Sequence, residues 1–396
     1  MKKYIVILFL FTFTYGEDLQ EKELIQFALE NSPLLKSFDY QLDIYSIQSK
    51  VAKVLPNPNI YFGLLNVETK NFYPSPSNPM SSYLLGFSQV YTLPVKRERE
   101  STIFSLNGDT INILKDIKKR EVVSSLRQFY YDWQIFAEKE KVLESIKLDL
   151  EILKKSVENE YKFNRATLSD IFEIQALILQ TERLISQTQK EQLITKSKID
   201  YLCGSSVSIS KVDLAENFSQ LEGHKDLMQS PYIVYIKRQM DILQAEIGRK
   251  SLEYIPDVEF MFEYMKRNIL PDMFSFKIGL SLPIFKSKKE DLVVLQKKNE
   301  YSIKNVELQQ EILRLKQILE ELNIEYKKDL ESLDIYKKLY KEKELQLQSL
   351  KVAYKYGKVN LKEILLLYQE ILNIQLEILQ LKGEILKVKP KIEAIL

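Results

Sequence analysis

Cysteine and histidine are almost missing from this 396-residue chain, which holds only Cys203 and His224. One cysteine excludes an intramolecular disulfide framework. One histidine and one cysteine cannot furnish a Cys/His nucleophile pair or a metal-ligand set. No G-x-S-x-G, Walker or Rossmann pattern is present either, so the chain is not expected to be an enzyme or to hold a cofactor or metal. Cys203, in Tyr201-Leu202-Cys203, reads as a small buried apolar residue, and His224, in the polar segment Gly204–Gln229, as a surface one. An excess of one charge is also lacking: the formal net charge is +2, with lysines matched by acids throughout. That excludes the uncompensated basic surface a nucleic-acid partner requires. Glycine and proline are scarce, 10 and 12 residues, while Leu, Ile, Lys, Glu and Gln dominate, a composition of long helices.

Long apolar runs are lacking too, after the first few residues. Lys2 and Lys3 precede an apolar run, Tyr4–Tyr15, too short to span a bilayer as a helix, and Thr14 and Gly16 offer small residues before a cut near Gly16–Glu17. Residues 1–16 are therefore expected to be a signal peptide and the mature chain to be exported. The rival, an uncleaved anchor, is disfavoured by the short run and by Glu17-Asp18 directly after it. No cysteine stands directly after the cut, so a lipid-modified start is not expected. Beyond this point no apolar stretch of about 18 residues is expected to cross a membrane as a helix.

What is present is a duplication. Asn159–Gln175 (NEYKFNRATLSDIFEIQ) returns 193 positions later as Val352–Tyr368 (VAYKYGKVNLKEILLLY), setting Tyr161 on Tyr354, Phe163 on Tyr356, Asp170 on Glu363 and Ile171 on Ile364. Ser32-Pro33 returns at Ser230-Pro231, Leu55-Pro56 at Ile255-Pro256, and Leu93-Pro94-Val95 at Leu282-Pro283-Ile284. A repeat of half the chain fixes the architecture before any local motif does. The expected division is a first repeat over 17–203, a linking segment over 204–229 and a second repeat over 230–396.

Each repeat holds two kinds of segment. Val95–Phe163 and Phe285–Tyr356 run free of proline for about 70 residues each, rods of about 100 Å if helical. In the second, Leu315, Ile318, Leu322, Tyr326, Leu330, Leu333, Tyr336 and Tyr340 step by three and four, and Leu308, Ile312, Leu315 and Leu319 form an adjoining stripe. Two stripes suit a helix with neighbours on both sides. Each rod turns at the Tyr-centred motif and returns as a shorter helix, Leu168–Leu202 or Leu361–Val388. Gly357 suits the turn because it accepts positive φ, and Asn164 at the matching place is next best.

The other segments alternate. Phe274, Phe276, Ile278, Leu280 and Leu282 are separated by Ser275, Lys277, Gly279 and Ser281; Val258, Phe260, Phe262 and Tyr264 by Glu259, Met261, Glu263 and Met265. Tyr83, Leu85, Phe87, Tyr91 and Leu93 repeat the pattern with Gln89 as its one break, and Ile60–Val67 is the weakest of the four strands. Loops Asn66–Ser81 and Lys266–Asp272 join them as hairpins. The length and aromatic weight match tilted membrane strands. An ordinary soluble sheet alternates as well, but four strands leave nothing else in the chain to cover so aromatic a face. In lipid such strands must close into a barrel, and four are too few for one with a passage, so copies must assemble.

Tyr354–Glu363 (Tyr-x-x-Gly-x-x-x-x-x-Glu), its partner Tyr161–Asp170, Leu-Pro-Asn-Pro at Leu55–Pro58 and Gly-Leu-Ser-Leu-Pro-Ile-Phe at Gly279–Phe285 resemble TolC-type outer membrane efflux proteins. The resemblance covers essentially all of the mature chain. It implies a mainly α protein with a transmembrane β-barrel part: a homotrimer whose single twelve-stranded barrel continues into a periplasmic α-helical barrel. It implies an exit duct of a tripartite pump or type I secretion system, with outer membrane lipid, a periplasmic adaptor and an inner-membrane transporter as partners. Glu363 falls where the family has its first entrance-gate carboxylate; Leu366 stands where a second is frequent, whereas Asp170 and Glu173 keep the spacing in the first repeat. Adaptor contact is expected at the tips, Asn164, Arg165, Ala166, Thr167 and Gly357, Lys358, Val359, Asn360. Glu259, Met261, Glu263 and Met265 are expected to face the lumen. With Met273, in a Pro271-Asp272-Met273 run that resembles the heavy-metal branch, they suggest a soft ion such as Cu(I), although lumen filling and packing explain the methionines without one. The rival class is a periplasmic coiled-coil adaptor or structural envelope protein without a channel.

Overall fold

The structure is a computed structural model that describes residues 19–70, 72–211, 218 and 226–396; the expected signal peptide, His224 and much of the linking segment lie outside the described residues. In chain order the elements are α1 (Glu21–Asn31), α2 (Pro33–Ala52), β1 (Asn59–Leu65), β2 (Ser82–Tyr91), α3 (Pro94–Lys162), α4 (Leu168–Cys203), α5 (Pro231–Ser251), β3 (Val258–Arg267), β4 (Met273–Leu280), α6 (Glu290–Lys355) and α7 (Leu361–Ile395). The two rods are single helices of 69 and 66 residues. The second starts later than the sequence suggests, because a short 3₁₀ turn at Lys286–Lys288 intervenes.

Two compact units emerge, each drawing on both repeats. A sheet unit comprises Lys36–Asp116 and Met228–Leu313; a helical unit comprises the described residues up to Leu35, those within Ile117–Leu227, and Arg314–Leu396. In the sheet unit the four strands form one antiparallel sheet in the order β1-β2-β3-β4, leaving β1 and β4 as edges. The central β2–β3 pairing joins the two repeats. The second loop is shorter than expected: β3 continues through Lys266 and Arg267, because the Asp272 carboxylate accepts the Arg267 N–H (3.1 Å).

The register sorts the side chains by face. Phe62, Leu85, Tyr264 and Phe274 fall in one cross-strand row, and Ile60, Phe87, Phe262 and Phe276 in the next, with Phe262 and Phe276 ring centroids 4.8 Å apart. On this face Ile60 is 74 % exposed, Phe62 71 % and Phe274 74 %, while on the opposite face Ser82, Gly86 and Ser88 are buried. In a water-soluble sheet the large apolar residues go inside. Here the order is inverted. At the foot of the sheet the nearly inaccessible Lys96 donates to Asp257 (3.0 Å), which balances its charge.

The helical unit holds both hairpins, α3/α4 and α6/α7. Near the turns Leu143, Leu150, Ile174, Ile178, Leu361, Ile364, Leu365 and Tyr368 form one core, and farther along Leu319, Leu322, Tyr326 and Leu333 meet Ile385, Val388 and Ile392. Of the stripes read from α6, Leu315, Leu319, Leu322, Tyr326 and Leu333 are buried and the other residues half-buried. A third core sets Leu24 and Ala28 of α1 against Tyr130 and Trp133 of α3 and Ile199 and Cys203 of α4. Burial there pushes the Cys203 thiol up to about 12, so it stays neutral and inert. The helix α7 corrects the expectation about apolar stretches. It runs to Ile395 through Pro390, and is long and apolar enough to cross a membrane. Its apolar content has another cause: fourteen of its residues are buried, so it serves as a core helix.

Candidate functional site

The two hairpin turns are built alike. After α3, Asn164 takes φ 57°, its N–H donates to Tyr161 O (3.0 Å) and Arg165 N–H to Glu160 O (2.9 Å). After α6, Gly357 takes φ 69°, its N–H donates to Tyr354 O (2.9 Å) and Lys358 N–H to Ala353 O (3.0 Å). Both are left-handed helix stops with paired backbone bonds, and the residues the sequence singled out are the ones that permit them. Arg165, Thr167, Gly357, Lys358 and Asn360 are exposed; Ala166 and Val359 are half-buried, Ala166 packing against the core behind the turn.

The helices then restart differently. Thr167 caps α4 in a reciprocal box: Asp170 N–H donates to the Thr167 hydroxyl (3.2 Å), and the Asp170 carboxylate accepts from Thr167 N–H and its hydroxyl (both 2.7 Å). At the matching place Asn360 makes no side-chain cap, and the Glu363 carboxylate is exposed and without a hydrogen bond among the described residues. Of the three gate candidates, Asp170 therefore has a structural task, while Glu173 and Glu363 are exposed. Glu363 heads a solvent-facing line on α7 through Leu366, Glu370, Asn373 and Glu377, every three or four residues. Leu366 is half-exposed in that line, an apolar gap between acids.

One contact ties the turns together. The Tyr354 hydroxyl donates to the Glu160 carboxylate (2.8 Å), linking the second hairpin to the first. Burial first, then the bond and charge of Glu160 and the charge of Asp170, raise the Tyr354 phenol well above its ordinary value. Its repeat equivalent Tyr161 is exposed, with no hydroxyl partner among the described residues. Phe163 and Tyr356, also equivalents, are 75 % and 77 % exposed at the two turns. The sequence marked these four aromatics as repeat landmarks and missed both the tie and the two bare rings.

The second site is the face of the sheet opposite the aromatic one. Glu259, Met261, Glu263 and Met265 all lie on it, half-buried, with Met265 opposite Met273 and Met261 opposite Lys277. The Glu263 carboxylate accepts from Tyr61 (2.9 Å) and Lys277 (2.7 Å), drawing β1, β3 and β4 together. Tyr61 reaches over Gly86, where an added Cβ would lie 2.2 Å from its ring. No sequence pattern pointed to Tyr61 or Gly86 as partners.

The structure superposes on CusC with a TM-score of 0.80, at 15% identity, covering 96% of this chain and 91% of that one. On the outer-membrane channel OprN the TM-score is 0.81 at 14% identity, over 95% of this chain and 89% of the other. The CmeC outer membrane channel of Campylobacter jejuni gives 0.78 at 12%, over 95% and 85%. The chain has the fold of an outer-membrane channel. This TolC-like fold accounts for the inverted sheet and the paired helical hairpins together. At the level of sequence alone, no family model matches the chain, and no curated protein does.

Proposed function

We propose that three copies of this chain form the outer-membrane exit duct of an efflux or secretion assembly, a conduit without chemistry of its own. The observation that carries this is the sheet: large apolar side chains stand exposed on one face, the opposite face carries Ser82, Gly86, Ser88, Glu259 and Glu263 together with Tyr61, Leu84 and the methionines, and both edges are open. Burying each such side chain in hydrocarbon is worth roughly 1.5–3 kcal/mol, and open edges there must be paired. Twelve strands from three chains would satisfy both demands, with Glu259, Met261, Glu263 and Met265 lining the passage. The repeats 17–203 and 230–396, joined by 204–229, then supply equivalent sectors of the wall.

In this reading the turns are the periplasmic end. Asn164–Thr167 and Gly357–Asn360, with Phe163 and Tyr356, offer a surface for a periplasmic adaptor that bridges to an inner-membrane transporter. The exposed line from Glu363 along α7 would attract cations at the entrance. Among cargoes, a soft metal ion is one with side chains to receive it, Met261, Met265 and Met273 sharing the polar face. Envelope fractionation tests the core of the proposal: the expected product is a detergent-requiring, heat-modifiable trimer in the outer membrane. Recovery as a soluble periplasmic monomer would refute it in favour of a coiled-coil adaptor or spacer.

A further inference from the structure

We propose that a cleft at the foot of the sheet holds the phosphate of an anionic phospholipid from the periplasmic leaflet of the outer membrane, an inference that rests on the outer-membrane reading above. The cleft has a volume of about 390 Å³ and is lined by Pro56, Thr92, Lys96, Arg97, Arg249 and Lys250, with Glu100 as an acid in its wall. That volume lies within the ~300–1,000 Å³ of ordinary small-molecule sites.

Its position is that of a headgroup. Thr92 directly follows Tyr91, the last residue of β2, and Pro56 lies three residues before β1. Gln89, the polar break in the aromatic face, donates to Pro56 O (2.9 Å), which sets this rim on the sheet's aromatic side. Val54, at 67 % exposed, and Val95, at 42 %, sit beside the cations, so apolar and basic surface meet where the apolar band ends. Basic side chains at that level are the usual means of holding anionic headgroups.

The charges are unevenly answered. Lys96 is paired with Asp257 and Glu253, and Arg249 with Glu253 and Glu100. Among the described residues Arg97 donates only to carbonyl oxygens, those of Thr92 (3.2 Å) and Lys53, and Lys250 has no hydrogen bond or ion pair. The first turn of α3 also carries Lys96 and Arg97 and no acid, whereas α6 opens with Glu290 and Asp291. Cations at a helix N-terminus oppose its dipole and concentrate positive potential there. An anion in the cleft would relieve that arrangement and answer Arg97 and Lys250 together.

The test uses the full chain in bilayers of phosphatidylcholine with and without phosphatidylglycerol, with co-purified lipid counted by native mass spectrometry. The wild-type protein is expected to retain phosphatidylglycerol over phosphatidylcholine. Lys250→Gln, which breaks no protein contact, should lower that retention roughly fivefold, and Lys250→Gln with Arg97→Gln roughly thirtyfold. Lys288→Gln, outside the cleft, should leave it unchanged. Equal retention in Lys250→Gln and wild type would overturn the proposal, as would displacement of the lipid by millimolar inorganic phosphate, which would assign the cleft to a free anion. Insertion into both bilayers without phosphatidylglycerol preference sinks this inference alone; insertion into neither sinks the outer-membrane reading with it.

Discussion

Tyr354→Phe removes one oxygen and leaves the packing of the turn otherwise intact, which makes it a direct probe of what holds the two hairpin ends together. The lost bond runs from a half-buried phenol to a carboxylate at 2.8 Å. A hydrogen bond to a charged group is worth about 1.5–3 kcal/mol when well shielded, and partial exposure here lowers that to about 1 kcal/mol. If the bond holds the entrance closed and three copies must release together, the closed state loses about 3 kcal/mol, or about two orders of magnitude in the closed-to-open ratio. If each releases alone, the shift is about fivefold per site. Single-channel conductance of the reconstituted protein distinguishes these cases: a stable high-conductance level indicates concerted release, and intermediate levels indicate independent release. The raised phenol also sets a pH expectation. Because the folded pKa lies above the unfolded one, the bond is fully present below the ordinary phenol range and is lost only as pH rises through the higher folded value. Titration of Tyr354 should therefore make no contribution to any change of conductance with pH around neutrality. Tyr161→Phe is the control, since that hydroxyl has no partner among the described residues. Identical conductance in Tyr354→Phe and wild type, or an equal rise in Tyr161→Phe, would refute the tie.

Two further outcomes are expected. Gly86→Ala should displace the Tyr61 ring, break its bond to Glu263 and lower the temperature at which the assembled trimer dissociates on semi-native gels; adding Tyr61→Ser should recover much of that loss, and a double variant no better than the single would deny the clash. Glu363→Gln should reduce cation conductance and multivalent-cation block in planar bilayers, with unchanged values showing that this carboxylate does not line the entrance.

The features that were legible in the sequence are those governed by neighbours along the chain. Asn164 and Gly357 stand where only a left-handed residue closes the turn, and the structure gives both positive φ. Strand alternation fixed which residues share a face. The contacts that escaped are those between distant segments. The β2–β3 pairing joins the two repeats, and nothing local specifies it. Glu160, the acceptor for Tyr354, has Ala353 as its repeat equivalent, so the duplication conceals the contact. Asp170 is a different case. The Thr167–Asp170 spacing is itself a capping signature, readable from the chain, and reading it for gate spacing alone passes over that nearer task.

The open edges of the sheet also have a genetic consequence. A ring completed only by further copies of the same chain gives every copy a veto over the whole. A variant that folds but presents a faulty β1 or β4 edge would enter mixed rings and spoil them. With equal expression of normal and faulty chains in a three-copy ring, about one ring in eight would be entirely normal. Edge variants should therefore be dominant, and variants that prevent folding recessive.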